Sequence, residues 1–184
     1  ARPTVSTYNA FANTLFQDNA LRIGYEPDAT LLTEAGAWEL AHQVVLDADA
    51  DEALYLLGRG PAQVAALVLQ LAHAMVDNAA DPDDLLAFAE HFRSLTALRP
   101  AKRPGQAEPV KAVLDLVDRV TALEALVPLA VDYGRRKREL GLIEYADQVA
   151  LAAQALRRDP AAIEPYRKRY RAVFLDEYQD TSVS

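Results

Sequence analysis

Residues 173–181 read VFLDEYQDT, and Ala172–Leu175 form an unbroken apolar run that stops at Asp176. Without polar–apolar alternation, such a run suits a strand covered on both faces, as in a parallel sheet. Asp176 and Glu177 then stand at the C-terminal end of that strand, the edge at which open parallel sheets bind ligands. Two adjacent acids there suit nucleotide hydrolysis, in which one carboxylate holds hydrated magnesium and the other orients and deprotonates the attacking water. A solvated acidic turn is the simpler reading of a lone Asp-Glu pair. The apolar run before the pair, with Gln179 and Asp180 after it, favours the functional reading.

Working back from this stretch, Pro160 opens a short helix to about Arg169, and another helix is predicted over Glu144–Arg157. A long helical region from about Val110 to Leu140 contains Pro128, placed to kink or divide it, and Gly141 ends it. Pro100, Pro104, Gly105 and Pro109 mark residues 99–109 as a loop or linker. Asp81–Pro82 and Gly60–Pro61 open two further helices. A helix over Glu34–Asp47 puts Trp38, Ala41, Val44 and Val45 at core spacing. Nearer the N-terminus, Thr4–Ser6 reads as a strand that runs into a helix from Tyr8 to about Arg22, with Gly24 just beyond. The expectation is a mainly α fold, a helical bundle of about seven helices. Two short strands, Thr4–Ser6 and Ala172–Leu175, are expected to lie parallel and adjacent.

The 184 residues are 51% hydrophobic and 25% charged, enough for a sizeable core. No apolar stretch approaches the roughly 20 residues of a membrane span. The absence of cysteine excludes disulfides and thiolate metal sites and fits a cytoplasmic setting. His42, His73 and His91 fall in separate predicted helices without ligand spacing, so any metal is expected on oxygen. A net charge of −8 argues against nucleic acid until its distribution is read. Residues 1–98 carry 4 basic against 14 acidic side chains, whereas residues 99–171 carry 15 against 10.

With these features in place, DEYQDT resembles motif II, the Walker B element, of superfamily 1 DNA helicases of the UvrD/Rep/PcrA type. LIEYADQV, residues 142–149, is similar to the LDFDDLL-like segment that precedes motif II in that family. STYNAF, residues 6–11, is similar to its TFHSF-like segment. The three segments occur in the family's order. The resemblance implies that residues 1–22 and 142–184 belong to a RecA-like motor domain, 1A, and residues 23–141 to its inserted helical subdomain, 1B. It implies an ATP-dependent helicase or translocase of DNA repair or recombination, with Mg²⁺ and ATP as cofactors and single-stranded and duplex DNA as partners.

By the same resemblance Asp176 would bind Mg²⁺, Glu177 would act on the hydrolytic water, and Gln179 would sense the γ-phosphate and couple it to movement. Thr7 and Tyr8 would contact single-stranded DNA, and Asn9 stands where the family usually has His. The alternative for Tyr8 is a core aromatic. Glu144 and Asp147 read first as helix-capping supports. Arg135, Arg136, Lys137 and Arg138 occupy successive positions, so they cover more than one helix face and cannot all meet one groove. As a group they are expected to reach DNA phosphates.

No GxxxxGK[ST] phosphate loop occurs in the sequence. The chain is therefore expected to be a piece of a larger motor, inactive alone as an ATPase, with apolar sheet edges that favour dimerisation. AdnAB- or RecB-like helicase-nucleases, with a nuclease domain or a second motor subunit, fall within the same reading. The competing reading is a non-catalytic helical interaction module whose acidic stretch only mimics motif II.

Overall fold

A computed structural model describes residues 3–48, 58–97 and 111–177. The predicted linker at 99–109 and Gln179 lie outside these residues. Seven α-helices occur among the described residues: α1 (Tyr8–Asn19), α2 (Glu34–Asp47), α3 (Pro61–Asp77), α4 (Pro82–Ser94), α5 (Lys111–Glu139), α6 (Tyr145–Arg158) and α7 (Glu164–Arg169). Two two-residue strands, β1 (Thr30–Leu31) and β2 (Leu142–Ile143), pair in parallel, Thr30 opposite Leu142. The fold is mainly α with a small parallel sheet, as expected.

Local chemistry sets the helix ends. The Thr7 hydroxyl accepts a hydrogen bond from the Ala10 amide at the start of α1, and Asp81 accepts one from Asp83 ahead of Pro82 in α4. Gly24 and Gly141 adopt left-handed backbone with φ of 79° and 65°, a conformation that glycine reaches without a Cβ clash. Pro128 sits inside an uninterrupted α5. An interior proline costs about 3 kcal/mol. Leu126, Leu129 and Tyr133 are buried around it, each contributing roughly 1.5–3 kcal/mol, and that burial outweighs the proline.

The chain forms two compact units. One comprises Ala1–Thr33, Val76–Ala79 and Arg136–Ser184. Its core is built from Ala12, Phe16, Ala20 and Ile23 on one side and Ile143, Leu151, Ala152 and Ala155 on the other, with Phe16 edge-on to Tyr25. Residues 23–33 belong to this unit, where Ile23 packs in the core and β1 pairs with β2. The other unit comprises Glu34–Met75 and Ala80–Arg135. Ala41, Val44 and Val45 of α2, Val64, Ala65 and Val68 of α3, and Leu126, Leu129, Ala130 and Tyr133 of α5 form its core.

Two local expectations are corrected. Thr4–Ser6 and Ala172–Leu175 are not the paired strands. Both are irregular and exposed, with Val5 at 90% and Phe174 at 95%, and among the described residues neither has a backbone ladder partner. Strand propensity alone does not form a sheet when no neighbouring strand takes up the backbone groups. Trp38 is 40% exposed, because the buried stripe of α2 runs through Ala37, Ala41, Val44 and Val45. It stacks on His42, one turn away, with ring centroids 4.9 Å apart. In α4, Phe88 is likewise exposed and packs against Phe92.

Candidate functional site

Asp176 and Glu177 are both exposed, directly after the Ala172–Leu175 segment. The Asp176 carboxylate accepts a hydrogen bond from the Glu177 amide at 3.0 Å. Glu177 has φ of 51°, one of two non-glycine residues with left-handed backbone among those described; the other, Ala79, follows α3. Strained backbone of this kind clusters at functional sites. The Tyr8 hydroxyl donates to the Asp176 carbonyl at 2.5 Å across 168 positions of sequence. The structure therefore brings the STYNAF segment and the DEYQDT segment together. Tyr8 is half exposed rather than a core aromatic.

A groove of about 490 Å³ opens beside the first turns of α1 and α6. Its polar lining is Thr7, Asn9, Asn13, Gln17, Tyr145 and Gln148, and Leu31 and Ile143 contribute apolar surface. Asn9, Asn13 and Gln17 follow one another at intervals of four residues, which puts three amides on one face of α1. Gln148 is 7% exposed. The groove lining contains no acidic or basic side chain. Thr7 and Asn9 were expected to serve a site and Tyr145 reads from the sequence as a packing residue; Asn13, Gln17 and Gln148 were not singled out. The four-residue spacing of the amides was the signal in the sequence.

The family model described as UvrD/REP helicase N-terminal domain matches residues 1–184. The chain belongs to this DNA helicase family. Comparison with curated proteins returned no match. No helix among the described residues is long and apolar enough to cross a membrane.

In this helicase-family chain the four successive cations do different things. Lys137 departs from its expected place among DNA contacts: it is 6% exposed, and its ammonium lies 2.6 Å from the Glu144 carboxylate and 2.7 Å from that of Asp147. Its helical position turns it into the first unit, where two carboxylates replace its water. The Asp147 carboxylate also accepts from the Glu144 backbone amide at 2.7 Å, closing a capping box at the start of α6. Glu144 and Asp147 are thus structural supports. Arg135 is exposed and holds Asp132 of the preceding turn at 2.5 Å, a surface pair of the kind that contributes little. Arg138 is exposed and Arg136 half-buried.

Two phenols in the first unit are perturbed. Burial pushes the Tyr25 hydroxyl above its ordinary value; the nearby Arg138 charge opposes that, Asp147 adds to it and Lys137 opposes it. Tyr166 is raised by burial and then by its hydrogen bond to the Asp18 carboxylate at 2.7 Å.

Proposed function

We propose that this chain forms part of a cytoplasmic ATP-dependent DNA helicase or translocase of repair or recombination. In that protein, hydrolysis of Mg-ATP is coupled to movement along single-stranded DNA and to opening of the duplex. The observation that carries the reading is the Tyr8–Asp176 hydrogen bond. It links the segment that resembles a DNA-contacting stretch to the one that resembles motif II.

Asp176 would hold Mg²⁺, which is commonly bound through one or two carboxylates together with waters and nucleotide phosphates. Its exposed carboxylate suits that chemistry. Bound with ATP, the ion neutralises charge on the phosphates. Glu177 accepts the proton of the attacking water, and Gln179 reports the state of the γ-phosphate to the rest of the motor. Thr7, Tyr8 and Asn9 contact the single strand, and Arg135, Arg136 and Arg138 contact duplex phosphates. The first unit corresponds in this reading to motor domain 1A and the second to the inserted subdomain 1B. A nuclease domain, a second motor subunit, and self-association through exposed Val5 and Phe174 belong to the same proposal.

The sequence contains no GxxxxGK[ST] loop, so hydrolysis is proposed for a protein that supplies one, and the 184 residues alone are proposed to be inactive as an ATPase. The test is DNA-stimulated ATP hydrolysis by such a motor protein with and without Glu177→Gln. Loss of roughly 10²–10⁴-fold in turnover, with nucleotide and DNA still bound, is the expected result. Equal turnover in the two proteins would remove Glu177 from the chemistry and leave a helical interaction module as the better reading.

A further inference from the structure

We propose that the end of the first unit at which α6 and α7 terminate is a docking surface for an acidic, extended segment of a partner protein, which it holds by its carboxylates. The surface lies apart from the residues proposed to contact DNA and nucleotide, and the inference does not depend on that reading.

Packing gathers cations from separate stretches of sequence at this end. Arg157 and Arg158 stand in the last turn of α6, and Arg167, Lys168 and Arg169 in the last turn of α7. Arg22, in the 3₁₀ turn after α1, pairs with Asp159, which ties the end of α1 to the end of α6. Tyr166 brings α7 to the same place: its hydroxyl donates to the Asp18 carboxylate at 2.7 Å and accepts from the Asn19 side-chain amide at 3.2 Å. Arg171 follows α7, and all of these cations are exposed. Seven cations thus stand with three acids, Asp18, Asp159 and Glu164, in a chain whose net charge is −8. A cation in a last turn offsets the helix dipole, which accounts for some of them, but Arg22 and Arg171 lie outside both α-helices. Like charges crowded on a folded surface repel one another, and an anionic partner relieves that repulsion.

The contacts already made there point to carboxylates. Arg22 holds Asp159, and Arg167 holds Glu164 at 3.2 Å; both pairs are exposed, hence weak, and can open to a competing carboxylate. Arg157, Arg158, Lys168 and Arg171 have no carboxylate partner among the described residues. Arginine predominates, and its planar fork matches a carboxylate. Nucleic acid fits less well. A single strand binds where aromatic faces accompany the cations. Here Tyr166 is half-buried with its hydroxyl engaged, and Tyr170 lies edge-on to Phe11, with centroids 5.7 Å apart, and beneath the Arg169 guanidinium at 5.3 Å. A phosphate backbone carries a charge at every nucleotide and would meet Asp18, Asp159 and Glu164 as well as the cations. A peptide can space its carboxylates around those three acids. Tyr8, bonded to Asp176, opens α1, and Arg22 lies beyond its other end, roughly 20 Å away at about 1.5 Å per residue, so the surface is separate from the strand-contacting segment.

Fluorescence anisotropy of a labelled oligo-Glu peptide with the 184-residue chain tests this, with labelled oligo-dT as the comparison probe. Oligo-Glu is expected to bind, and less tightly as salt rises, because exposed charges are screened. Arg157→Gln with Arg158→Gln, and separately Arg167→Gln with Lys168→Gln, should each weaken it roughly 2- to 30-fold, the worth of two exposed ion pairs. Arg119→Gln, which removes an exposed cation of α5 in the second unit, should leave it unchanged. These positions are exposed and glutamine is a good helix former, so the variants keep the fold. An absence of oligo-Glu binding, or equal binding by the wild type and both double variants, would overturn the proposal. Oligo-dT bound more tightly than oligo-Glu, and weakened by the same two double variants, would make this end a phosphate site and overturn the protein reading. Dimerisation of the wild type in sedimentation, lost in both double variants, would assign the surface to the acidic N-terminal half of a second copy and overturn it as well.

Discussion

Lys137→Met removes the ammonium that pairs with both carboxylates of the Lys137–Glu144–Asp147 cluster. The three side chains are 8%, 12% and 13% exposed, so solvent screens them little. At 2.6 and 2.7 Å and an effective dielectric of about 20, each attraction is about 6 kcal/mol gross. Desolvation of three ions, at several kcal/mol each, and repulsion between the acids offset most of it. The cluster as a whole therefore contributes little net stability. Breaking it on one side is different, because both carboxylates stay buried without their cation; the expected loss is about 3–5 kcal/mol. For a chain of this size that lowers the Tm by roughly 6–20 °C, at 2–4 °C per kcal/mol. Thermal and urea unfolding followed by circular dichroism measure it, with Arg138→Met as control. That change removes a neighbouring exposed charge and should stay within about 0.5 kcal/mol of wild type. On DNA the order should reverse, with Arg138→Met weakening binding and Lys137→Met, where folded, leaving it intact. A Lys137→Met protein as stable as Arg138→Met would refute the reasoning.

Tyr8→Phe deletes the hydroxyl on the Asp176 carbonyl and keeps the ring; loss of a hydrogen bond worth about 0.5–1.5 kcal/mol should lower DNA stimulation of ATP hydrolysis roughly 2- to 12-fold in a motor carrying this segment. Unchanged stimulation would disconnect the two segments. Thr7→Ala removes the α1 cap and should cost about 1 kcal/mol, read from urea midpoints. Tyr25 and Tyr166 are raised in the folded chain, so the folded state holds their protons longer than the unfolded state does. Their contribution is complete below the unfolded tyrosine pKa of about 10 and is lost as pH rises through the folded values. Absorbance titration of the phenolates should show late-ionising tyrosines whose transition moves to lower pH in urea.

The helices were legible because their ends are chemical. Asp81–Pro82, Gly60–Pro61, Gly141 and Asp159–Pro160 punctuate the chain where the structure starts or stops its helices. The parallel strands were not, since β1 and β2 are two residues each and have no periodicity to read. Thr4–Ser6 and Ala172–Leu175 carry strand-like composition, but a strand is fixed by its neighbours as much as by its residues. In the helices the apolar pattern gave the buried stripe, yet Trp38 and Phe88 fall outside it, because an aromatic residue near the stripe's margin can cover its own helix instead. The Asp176–Glu177 pair was legible from its position after an apolar run. A basic cluster gives net charge without orientation, so the inward turn of Lys137 became visible only with Glu144 and Asp147 in place beside it.

That inward turn also accounts for the groove. Lys137, in the last turn of α5, fixes the start of α6 through the two carboxylates of its capping box. Between them the chain reverses at Gly141, whose carbonyl accepts from the Thr30 amide, and the Ile143 carbonyl accepts from Leu32, both at 2.8 Å. These bonds set β1 beside β2 and bring Leu31 and Ile143 to the groove. The capping box then points the first turn of α6, with Tyr145 and Gln148, toward the amide face of α1. A cation that touches no ligand thus sets the separation of the two walls of the groove. Asp147→Asn keeps a side-chain oxygen for the Glu144 amide and leaves the ammonium beside Glu144, so it should lower the urea midpoint less than Lys137→Met does.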